Sequence, residues 1–378
     1  MKKIWTILIL ALLLRLFLVL STYHPDMEAF NLGGKVVASG NILNLYDYSS
    51  NLASFNYPPP IYWFHGIFHL LLGSILGVGL LVKLPYLIFD LLIGFLLLRW
   101  FESKRLSLGA FTLWMFNPVS LYATYMMGQF DIIPTFFTVL SIYFITKEKL
   151  SWAALALGGG IAFKLYPIFL IFPLIILGKT FWDKFKLGML AVLPYILTVM
   201  PYLGSSSFRT TALFTNQSSK SLYAAIPVSG GESILLFPTA LLVFYFVIWR
   251  KKMDKLSFWQ IYAIPLLLFF IFTHFHPQWL IWVTPFFIID LISSQFKNIW
   301  VILLILGSFT SSLFFFDPSL TLGLFSPLVP ILHNAPGIWT MLHLDLDFNF
   351  LRSILQTIFV SAALYLIYSY FQKEQHEI

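Results

Sequence analysis

Two carboxylates lie close together near the start of the chain, Asp26 and Glu28 in the sequence HPDMEAF. A carboxylate can accept a proton from a hydroxyl group that is held within hydrogen-bond reach. Asp26 is therefore a candidate for acid–base chemistry. Helix capping is the favoured alternative for this residue taken alone, since Asp is preferred at helix N-termini.

Further polar side chains that can contact phosphate or sugar oxygens recur in short segments between apolar runs. GQFD joins one pair of runs, FKLYP joins the next pair, and HFHPQW follows later in the chain. Imidazole and ammonium groups can donate hydrogen bonds to such oxygens. The candidate substrate-binding residues are Tyr57, His65, Gln129, Asp131, Lys164, Arg209, Lys220, His274, His276 and Gln278.

Each of these segments also has a structural interpretation. Asp131 can cap the helix that it opens, and the capping and binding roles are about evenly matched. Lys164 can extend along its apolar stem to the membrane surface, although the short runs beside it favour a recessed lysine that clamps a lipid phosphate. His65 and His69 have the i, i+4 spacing of a metal site, but packing is favoured because no third ligand is near in sequence.

The composition predicts the elements that position these residues. The chain has 378 residues, of which 59% are hydrophobic and only 10% are charged, whereas soluble domains carry about 25% charged residues. Crossing a bilayer takes roughly 20 apolar residues in a helix, and runs close to that length recur. Backbone groups in lipid must satisfy their own hydrogen bonds, so the fold class is predicted to be all-α, with helices that cross the membrane several times. The absence of cysteine excludes disulfides and thiol catalysis.

Twelve spans within one membrane-embedded domain, residues 1–378, are predicted from the apolar runs. The first span is taken as an uncleaved segment, since Arg15 interrupts it and no small-residue cleavage site follows. The predicted spans are Ile4–Thr22, Leu76–Trp100, Leu108–Met127, Ile132–Thr146, Leu150–Phe163, Tyr166–Leu177, Leu187–Leu203, Ser233–Trp249, Phe258–Thr273, Trp279–Leu291, Ile299–Phe315 and Asn349 to just before Gln372.

The basic residues predict the orientation of the chain. Most of the 23 Lys and Arg residues fall on the side that also holds both termini, which is the cytoplasmic side by the positive-inside rule. The net charge of +7 therefore reflects membrane topology, and nucleic-acid binding is not expected. The candidate residues gather at the opposite face, the outer or lumenal one. Arg15 and Asp90 fall within spans and are expected to pair as a structural ion pair.

The first outer loop, residues 23–74, is predicted to hold much of the site. Apolar residues at helical spacing predict a short interfacial helix over Met27–Ser39, with Asp26 at its N-terminus. The three prolines of NYPPP, which follow Tyr57 closely, cannot continue a helix. They predict a rigid re-entry of the chain into the membrane.

These segments together resemble the GT-C superfamily of membrane glycosyltransferases. The resemblance rests on PDMEAF with a following glycine and LYD, then NYPPP, FNP, GIAFKLYP and HPQWLIW, in that order. It covers roughly residues 15–285. The likeness is greatest to the catalytic subunit of the first mannosyltransferase of glycosylphosphatidylinositol synthesis and to its prokaryotic relatives.

The resemblance implies a sugar donor, an acceptor and a mechanism. The sugar, with mannose as the best match, would come from a polyprenyl- or dolichyl-phosphate carrier and pass to a lipid or glycan acceptor. The family carries an acidic pair, often Asp-x-Asp, in the first outer loop. Here the pair is Asp26 and Glu28, which makes both candidate catalytic residues, with Asp26 as general base. A single displacement would invert the anomeric carbon.

The leaving phosphate would need charge stabilisation, for which Lys164 with His276 or Arg209 are the candidates. No cofactor is predicted with certainty, and the altered second acid leaves a divalent cation open.

Two further functions stay open. One is a transporter or a flippase for lipids or polyprenyl phosphates, and the other is a non-catalytic assembly subunit. The expected location is the cell membrane, or the endoplasmic reticulum membrane of a eukaryote.

Overall fold

A computed structural model describes residues 2–48, 55–213, 219–250, 256–273 and 276–372. The described chain is helical throughout, apart from loops and one short hairpin of two strands. Up to residue 213 the helices are α1 (Lys2–Ser21), α2 (Met27–Ala38), α3 (Pro60–Leu72), α4 (Val78–Lys83), α5 (Leu87–Leu98), α6 (Lys104–Met115), α7 (Pro118–Ser120), α8 (Ile132–Thr146), α9 (Leu150–Phe163), α10 (Ile171–Ile175), α11 (Phe181–Val199) and α12 (Ser206–Phe208).

The rest of the described chain begins with the hairpin and continues in helices. Its elements are β1 (Ala225–Pro227), β2 (Ser233–Leu235), α13 (Leu236–Arg250), α14 (Phe258–Phe272), α15 (Thr284–Ser293), α16 (Ile299–Leu313), α17 (Ile338–Met341) and α18 (Phe348–Gln372). Short 3-10 helices lie at Leu45–Tyr48, Leu84–Tyr86, Tyr166–Leu170, Met200–Tyr202, Lys220–Leu222, Ser229–Gly231, Pro277–Trp282, Pro318–Leu320, Leu322–Phe325 and Pro330–Asn334, and π-helical turns lie at Leu121–Met126 and Arg209–Leu213.

Long apolar helices confirm the predicted all-α, polytopic membrane class. In the described ranges four helical stretches are long and apolar enough to cross a bilayer, namely Lys2–Ser21, Val78–Leu98, Phe181–Tyr202 and Phe348–Gln372. Shorter apolar helices, such as α8 and α9, begin and end where the sequence predicts. Helices of that length cross a bilayer only where it is thin or the chain is assisted by neighbouring segments, so the number of twelve spans stays a prediction.

The first outer loop contains two helices that pack against each other. α2 begins at Met27 as predicted, and α3 begins at the last of the three prolines. Proline is tolerated there because the first turn of a helix has no partner for its amide hydrogen. Glycine allows the two helices to approach closely, since a Cβ atom on Gly34 would lie 2.9 Å from His65 Cβ.

A glycine-rich face of α9 fixes the position of that helix between α8 and α11. A Cβ atom on Gly158 would lie 2.7 Å from the backbone oxygen of Ala191 in α11, and one on Gly159 would lie 3.0 Å from the ring of Phe137 in α8. Small residues permit this approach of helix backbones inside a membrane. α9 ends at Phe163, so its packing sets the position of the following residue, Lys164.

Several predicted spans differ in detail from the structure, and spans eight and three are examples. Predicted span eight was placed from Ser233, but Ser233–Leu235 is a strand that pairs antiparallel with Ala225–Pro227, and the helix begins at Leu236. Predicted span three is interrupted at FNP. There the side chain of Asn117 accepts hydrogen bonds from the backbone of Val119 and Ser120 and starts a new helix. Hydropathy detects apolar composition and is insensitive to these local hydrogen bonds.

Arg15 and Asp90 form the predicted ion pair, and both side chains are buried. Arg15 Nε donates to Asp90 Oδ2 at 2.6 Å, and Arg15 Nη1 donates to the backbone oxygen of Met115 at 2.7 Å. Tyr125 donates its hydroxyl to Asp90 Oδ2 at 2.6 Å, and Trp114 Nε1 donates to Oδ1 at 2.8 Å. The pair therefore connects α1, α5, α6 and the π-helical turn after α7.

Arg15→Met should destabilise the protein by about 3–5 kcal/mol, because it leaves the Asp90 carboxylate buried without its counter-charge. The double variant R15M/D90N should recover most of that loss, since the neutral amide can accept from Trp114 with its oxygen and donate from its NH2 group to the Tyr125 hydroxyl. The measurement is the free energy of unfolding in detergent micelles. Lys3→Met, which removes an exposed charge from the same helix, is the matched control. Equal stability of R15M and K3M would contradict the prediction.

Candidate active site

Asp26 precedes α2 and leaves its carboxylate available. Its backbone is helical, with φ −57° and ψ −22°, and its side chain makes no capping hydrogen bond. The side chain is 52% exposed. Gln129 Nε2 donates to Asp26 Oδ2 at 2.7 Å, and Oδ1 accepts no hydrogen bond from the described residues. The capping interpretation of Asp26 is therefore not supported by its geometry.

Gln129 is held in a fixed orientation by the turn between the π-helical segment and α8. The preceding Gly128 has φ +69°, a left-handed conformation that glycine adopts without steric cost. A Cβ atom there would also lie 2.6 Å from Met27 Sδ. The backbone amide of Gln129 donates to the carbonyl of Ala123 at 3.0 Å. This close approach of the GQFD turn to the start of α2 allows Gln129 to reach Asp26.

Glu28, the second candidate acid, is engaged by its own neighbours. Its carboxylate accepts from the Tyr23 hydroxyl at 3.0 Å and from Asn31 Nδ2 at 3.4 Å. Burial, and secondarily the hydrogen bond to Glu28, raises the pKa of Tyr23 to about 12, so the phenol keeps its proton and donates. Of the acidic pair, Asp26 is the residue whose carboxylate is more available to a ligand.

His24 lies beside Asp26 and is buried. Its Nδ1 accepts from the backbone amide of Asp26 at 3.3 Å and lies 3.7 Å from Asp26 Oδ2. Burial lowers the pKa of His24, an effect that the charges of Asp26 and Asp317 oppose. A largely neutral imidazole is consistent with the acceptor role of Nδ1. Close by, Lys83 is fully buried and donates from Nζ to the carbonyl and to the hydroxyl of Thr22 at 2.5 and 3.0 Å.

Asp131 is fully buried and forms an ion pair with Lys164. Asp131 Oδ1 accepts from Lys164 Nζ at 2.7 Å and from Trp282 Nε1 at 2.6 Å. Its side chain makes no capping hydrogen bond. Asp131 Oδ2 has no hydrogen-bond partner among the described residues. The carboxylate thus joins the start of α8, the end of α9 and the 3-10 helix Pro277–Trp282.

Aromatic rings surround the Lys164 ammonium group. Nζ lies 5.1 to 5.7 Å from four ring centroids, those of Tyr57, Phe130, Trp279 and Trp282. A cation over an aromatic face is stabilised, most strongly where water is excluded. The Lys164 side chain is only 10% exposed, so it does not extend to the membrane surface. Its position is recessed, as predicted, but Asp131 already balances its charge.

Lys220 and His276 contact each other beside Trp279, one of these four rings. Lys220 Nζ lies 2.6 Å from His276 Nε2, a distance at which the ammonium donates to an unprotonated ring nitrogen. It also lies 5.9 Å from the Trp279 centroid. Burial lowers the pKa of Lys220 below the ordinary value. Within the described ranges Lys220 has no carboxylate partner, so its charge is available to an anion.

The remaining predicted site residues have different surroundings. Arg209 is exposed and donates to the backbone oxygens of Leu203 and Gly204 in its own loop. His65 is buried against Phe30 and lies 2.9 Å from the Tyr86 hydroxyl, an arrangement typical of packing. Gln278 is buried, with its side-chain oxygen unbonded among the described residues. His274 lies outside the described residues.

Sequence reasoning missed His24, Trp279 and Trp282. The two tryptophans directly follow the polar HFHPQ turn and are three residues apart, which places them on one side of a helical turn. Trp282 stacks on Tyr166 with centroids 4.0 Å apart, and Trp279 stacks on Trp282 at 5.1 Å. The concentration of aromatic residues beside this polar turn was the sequence feature that could have identified the two tryptophans.

The described acidic residues do not form a metal-binding cluster. Within the described ranges no group of three or more His, Asp or Glu side chains is close enough to hold a metal ion. Asp26 accepts from Gln129, and Glu28 accepts from Tyr23 and Asn31. The divalent cation that the sequence leaves open therefore has no such cluster of ligands among the described residues.

Two comparisons relate the chain to known proteins. A family model described as Mannosyltransferase (PIG-M) matches residues 124–217, a range that contains Gln129, Asp131 and Lys164. Among solved structures the chain is similar to ArnT from Cupriavidus metallidurans bound to undecaprenyl phosphate, with 13% identity and a TM-score of 0.49 over 98% of this chain and 76% of that one. The family match covers 94 of the 378 residues, from 124 to 217, and agrees with the resemblance to mannosyltransferases seen in the sequence.

Lys164→Met should destabilise the protein by about 3–5 kcal/mol, because the buried Asp131 carboxylate then loses its counter-charge. The double variant D131N/K164M should be closer to the wild type than K164M is. The free energy of unfolding of both single variants and the double variant gives the coupling energy directly. Lys149→Met removes an exposed charge at the opposite end of α9 and serves as control. A coupling energy near zero would show that the ion pair is not formed.

Proposed function

We propose that the protein transfers mannose from a polyprenyl- or dolichyl-phosphate carrier to a hydroxyl group of a lipid or glycan acceptor, at the outer or lumenal face of its membrane. The observation that carries the proposal is the exposed carboxylate of Asp26, which Gln129 contacts and which lies close enough to the buried Lys164 to interact with it electrostatically. Lys164 and the half-buried Lys220 both lie near the ring of Trp279. The description of the matched family supports mannose, and the GT-C resemblance supports the lipid carrier.

Asp26 acts as general base in this proposal. The amide hydrogen of Gln129 fixes Oδ2 and leaves Oδ1 to accept the proton of the acceptor hydroxyl. The acceptor oxygen bonds to the anomeric carbon while the bond from that carbon to the phosphate oxygen breaks. The proton passes to Asp26, and the bonding electron pair leaves with the lipid phosphate. One displacement of this kind inverts the anomeric configuration.

Lys220 and His276 stabilise the departing phosphate. A phosphate leaving group needs charge stabilisation at the moment of bond cleavage. Lys164 is nearby, but its charge is balanced by Asp131 at 2.7 Å, so its main role is to hold Trp279 and Trp282 in place. Lys220 has no such carboxylate in the described chain and shares the Trp279 ring with Lys164. The phosphate contact is therefore assigned to Lys220, whereas the sequence favoured Lys164 with His276 or Arg209 for this role.

The orientation follows from the charge distribution. Basic residues concentrate at the side that holds both termini, which the positive-inside rule places in the cytoplasm. Asp26, Gln129 and Lys220 then belong to loops at the opposite side. A site at this edge allows a lipid tail to stay between helices while the sugar and its phosphate meet the polar residues.

Asp26→Asn should lower turnover by roughly 100- to 10,000-fold, because the amide keeps the shape and the Gln129 contact but cannot take the proton. The assay is transfer of mannose from a polyprenyl-phosphate donor by purified protein, with the product's anomeric configuration determined. Asp47→Asn changes an exposed carboxylate of the same outer loop and should leave turnover unchanged. Near-normal turnover by D26N would remove Asp26 as base, and movement of lipid between leaflets without a glycosidic bond would favour the flippase.

Lys220 gives the reaction an alkaline limit. Burial lowers its pKa, so the ammonium charge is lost at lower pH than for an ordinary lysine, and the KM for the donor should rise as pH increases through that range. Lys220→Arg should move this rise to higher pH, since a guanidinium stays protonated. Lys220→Met should raise the donor KM about tenfold at neutral pH, the effect of losing one charge-assisted hydrogen bond.

The control for this experiment is Lys35→Arg, which changes an exposed lysine of α2. Its pH profile should match that of the wild type. A K220R profile that also coincides with the wild-type profile would exclude Lys220 as the group that binds the donor phosphate.

A further inference from the structure

A groove of about 520 Å³ lies between the C-terminal ends of α14 and α16 and the N-terminal part of α18. This volume lies in the range of about 300–1,000 Å³ that is typical of pockets for small molecules. Apolar side chains form much of the wall, and a few polar groups interrupt it. The residues that matter for its chemistry are Thr273, Phe309, Ser312, Arg352, Leu355 and Phe359.

Arg352 supplies a positive charge to this groove. Its Nε donates to the backbone oxygen of Phe348 at 3.2 Å, its Nη2 donates to Asn349 Oδ1, and its guanidinium carbon lies 4.6 Å from the Phe316 centroid. No carboxylate lies within 4.0 Å of it in the described chain. The contacts orient the guanidinium group without neutralising it, which is the arrangement that a phosphate can exploit.

Thr273 supplies a second, independent indication of a ligand. Its side chain is only 2% exposed, and its hydroxyl has no hydrogen-bond partner among the described residues. Buried polar groups are normally hydrogen-bonded, and an unpaired one is costly. Because Thr273 lines the groove, an oxygen of a bound molecule can complete its hydrogen bonding.

The surroundings of the groove face lipid. On α18, Phe350, Ile354 and Ile358 are exposed large apolar side chains close to Arg352, and Leu303 and Leu304 are exposed on α16. In a multi-pass membrane protein such faces contact lipid chains. A long helix, Phe348–Gln372, places Arg352 one turn from its start and so near a membrane edge. The headgroup of a lipid that enters from the bilayer would lie at the depth of Arg352. Its chain would then contact the apolar walls of the groove.

We propose that this groove binds a phospholipid of the surrounding membrane that has a net negative headgroup. The phosphate contacts Arg352, an oxygen of the lipid bonds the Thr273 hydroxyl, and part of one chain lies against Phe309, Leu355 and Phe359. The volume suits a headgroup and the first part of a chain, and the rest of the lipid stays in the bilayer. The proposal is independent of the transferase reaction.

The groove adjoins the 3-10 helix that carries two tryptophans of the candidate active site. Pro277 lines the groove and begins the 3-10 helix Pro277–Trp282. Further along the same helix, Trp279 and Trp282 surround Lys164. A lipid in the groove therefore packs against one end of the element that contributes the aromatic rings to the site, without contacting Asp26 or Lys220.

The test uses full-length protein stripped of lipid in detergent and then exposed to phosphatidylglycerol, phosphatidylcholine, polyprenyl phosphate or inorganic phosphate. Native mass spectrometry and lipid extraction measure what is retained. The wild type should retain phosphatidylglycerol in preference to phosphatidylcholine. Arg352→Gln should weaken its retention about tenfold, the effect of losing a charge-assisted contact.

Two further variants keep the test decisive. Arg105→Gln removes an exposed arginine of α6 that does not line the groove, and it should retain phosphatidylglycerol like the wild type. Ser312→Phe places a ring in the groove and keeps the arginine at position 352, and it should also lose the lipid. Thermal unfolding and gel filtration of each variant verify that it is folded.

Several outcomes would overturn the proposal. Equal retention of phosphatidylglycerol by R352Q and the wild type would remove Arg352 as the phosphate contact. Binding of inorganic phosphate alone, with no preference for a lipid, would exclude the lipid occupant. Polyprenyl phosphate bound in competition with phosphatidylglycerol, and lost in S312F, would assign the groove to a substrate. None of these measurements depends on turnover, so they can fail or succeed separately from the transferase proposal.

Discussion

The buried carboxylate of Asp131 is the interaction on which the geometry of the site depends. A charge removed from water is stable only when donors compensate it closely, and here Lys164 and Trp282 do so at 2.7 and 2.6 Å. These contacts fix the end of α9 and the 3-10 helix Pro277–Trp282 against the start of α8. Gln129 precedes Asp131 by two residues, so the same anchor determines where its amide reaches Asp26.

The site separates charges that hold the structure from charges that can meet a ligand. Lys164 lies among four rings and its charge is balanced by a carboxylate. Lys220 contacts one of those rings and His276, with no carboxylate in the described chain. Likewise, Glu28 is occupied by Tyr23 and Asn31, whereas Asp26 keeps one oxygen unbonded by its described neighbours. Residue type alone does not distinguish these roles. The sequence does not tell whether a lysine or a carboxylate is paired within the protein or available to a ligand.

The lengths of the apolar runs predicted much of the fold, because the thickness of the bilayer sets how long a membrane-spanning helix must be. The bounds of α8 and α9 match the predicted Ile132–Thr146 and Leu150–Phe163, and the interfacial helix after Asp26 begins where helical spacing starts. The segment from Trp279 was predicted as the start of a span, yet Pro277–Trp282 is a 3-10 helix. Lys164 and Asp131 are 33 residues apart, and only the packing of α8 and α9 reveals their contact. His24 gave no signal beyond that of an ordinary packing residue, and the tryptophans were marked only by the concentration of aromatic residues beside the polar turn.

Asp90 and Asp131, two of the buried carboxylates, differ in how fully their oxygens are hydrogen-bonded. Asp90 accepts hydrogen bonds at both oxygens, from Arg15 and Tyr125 at Oδ2 and from Trp114 at Oδ1. Asp131 accepts both of its hydrogen bonds at Oδ1, and Oδ2 has no partner among the described residues. A purely structural ion pair gains nothing from an unpaired buried oxygen, since such an atom is costly. The spare acceptor at Asp131 is therefore consistent with its prediction as a substrate-binding residue, whereas Asp90 has no acceptor oxygen without a partner.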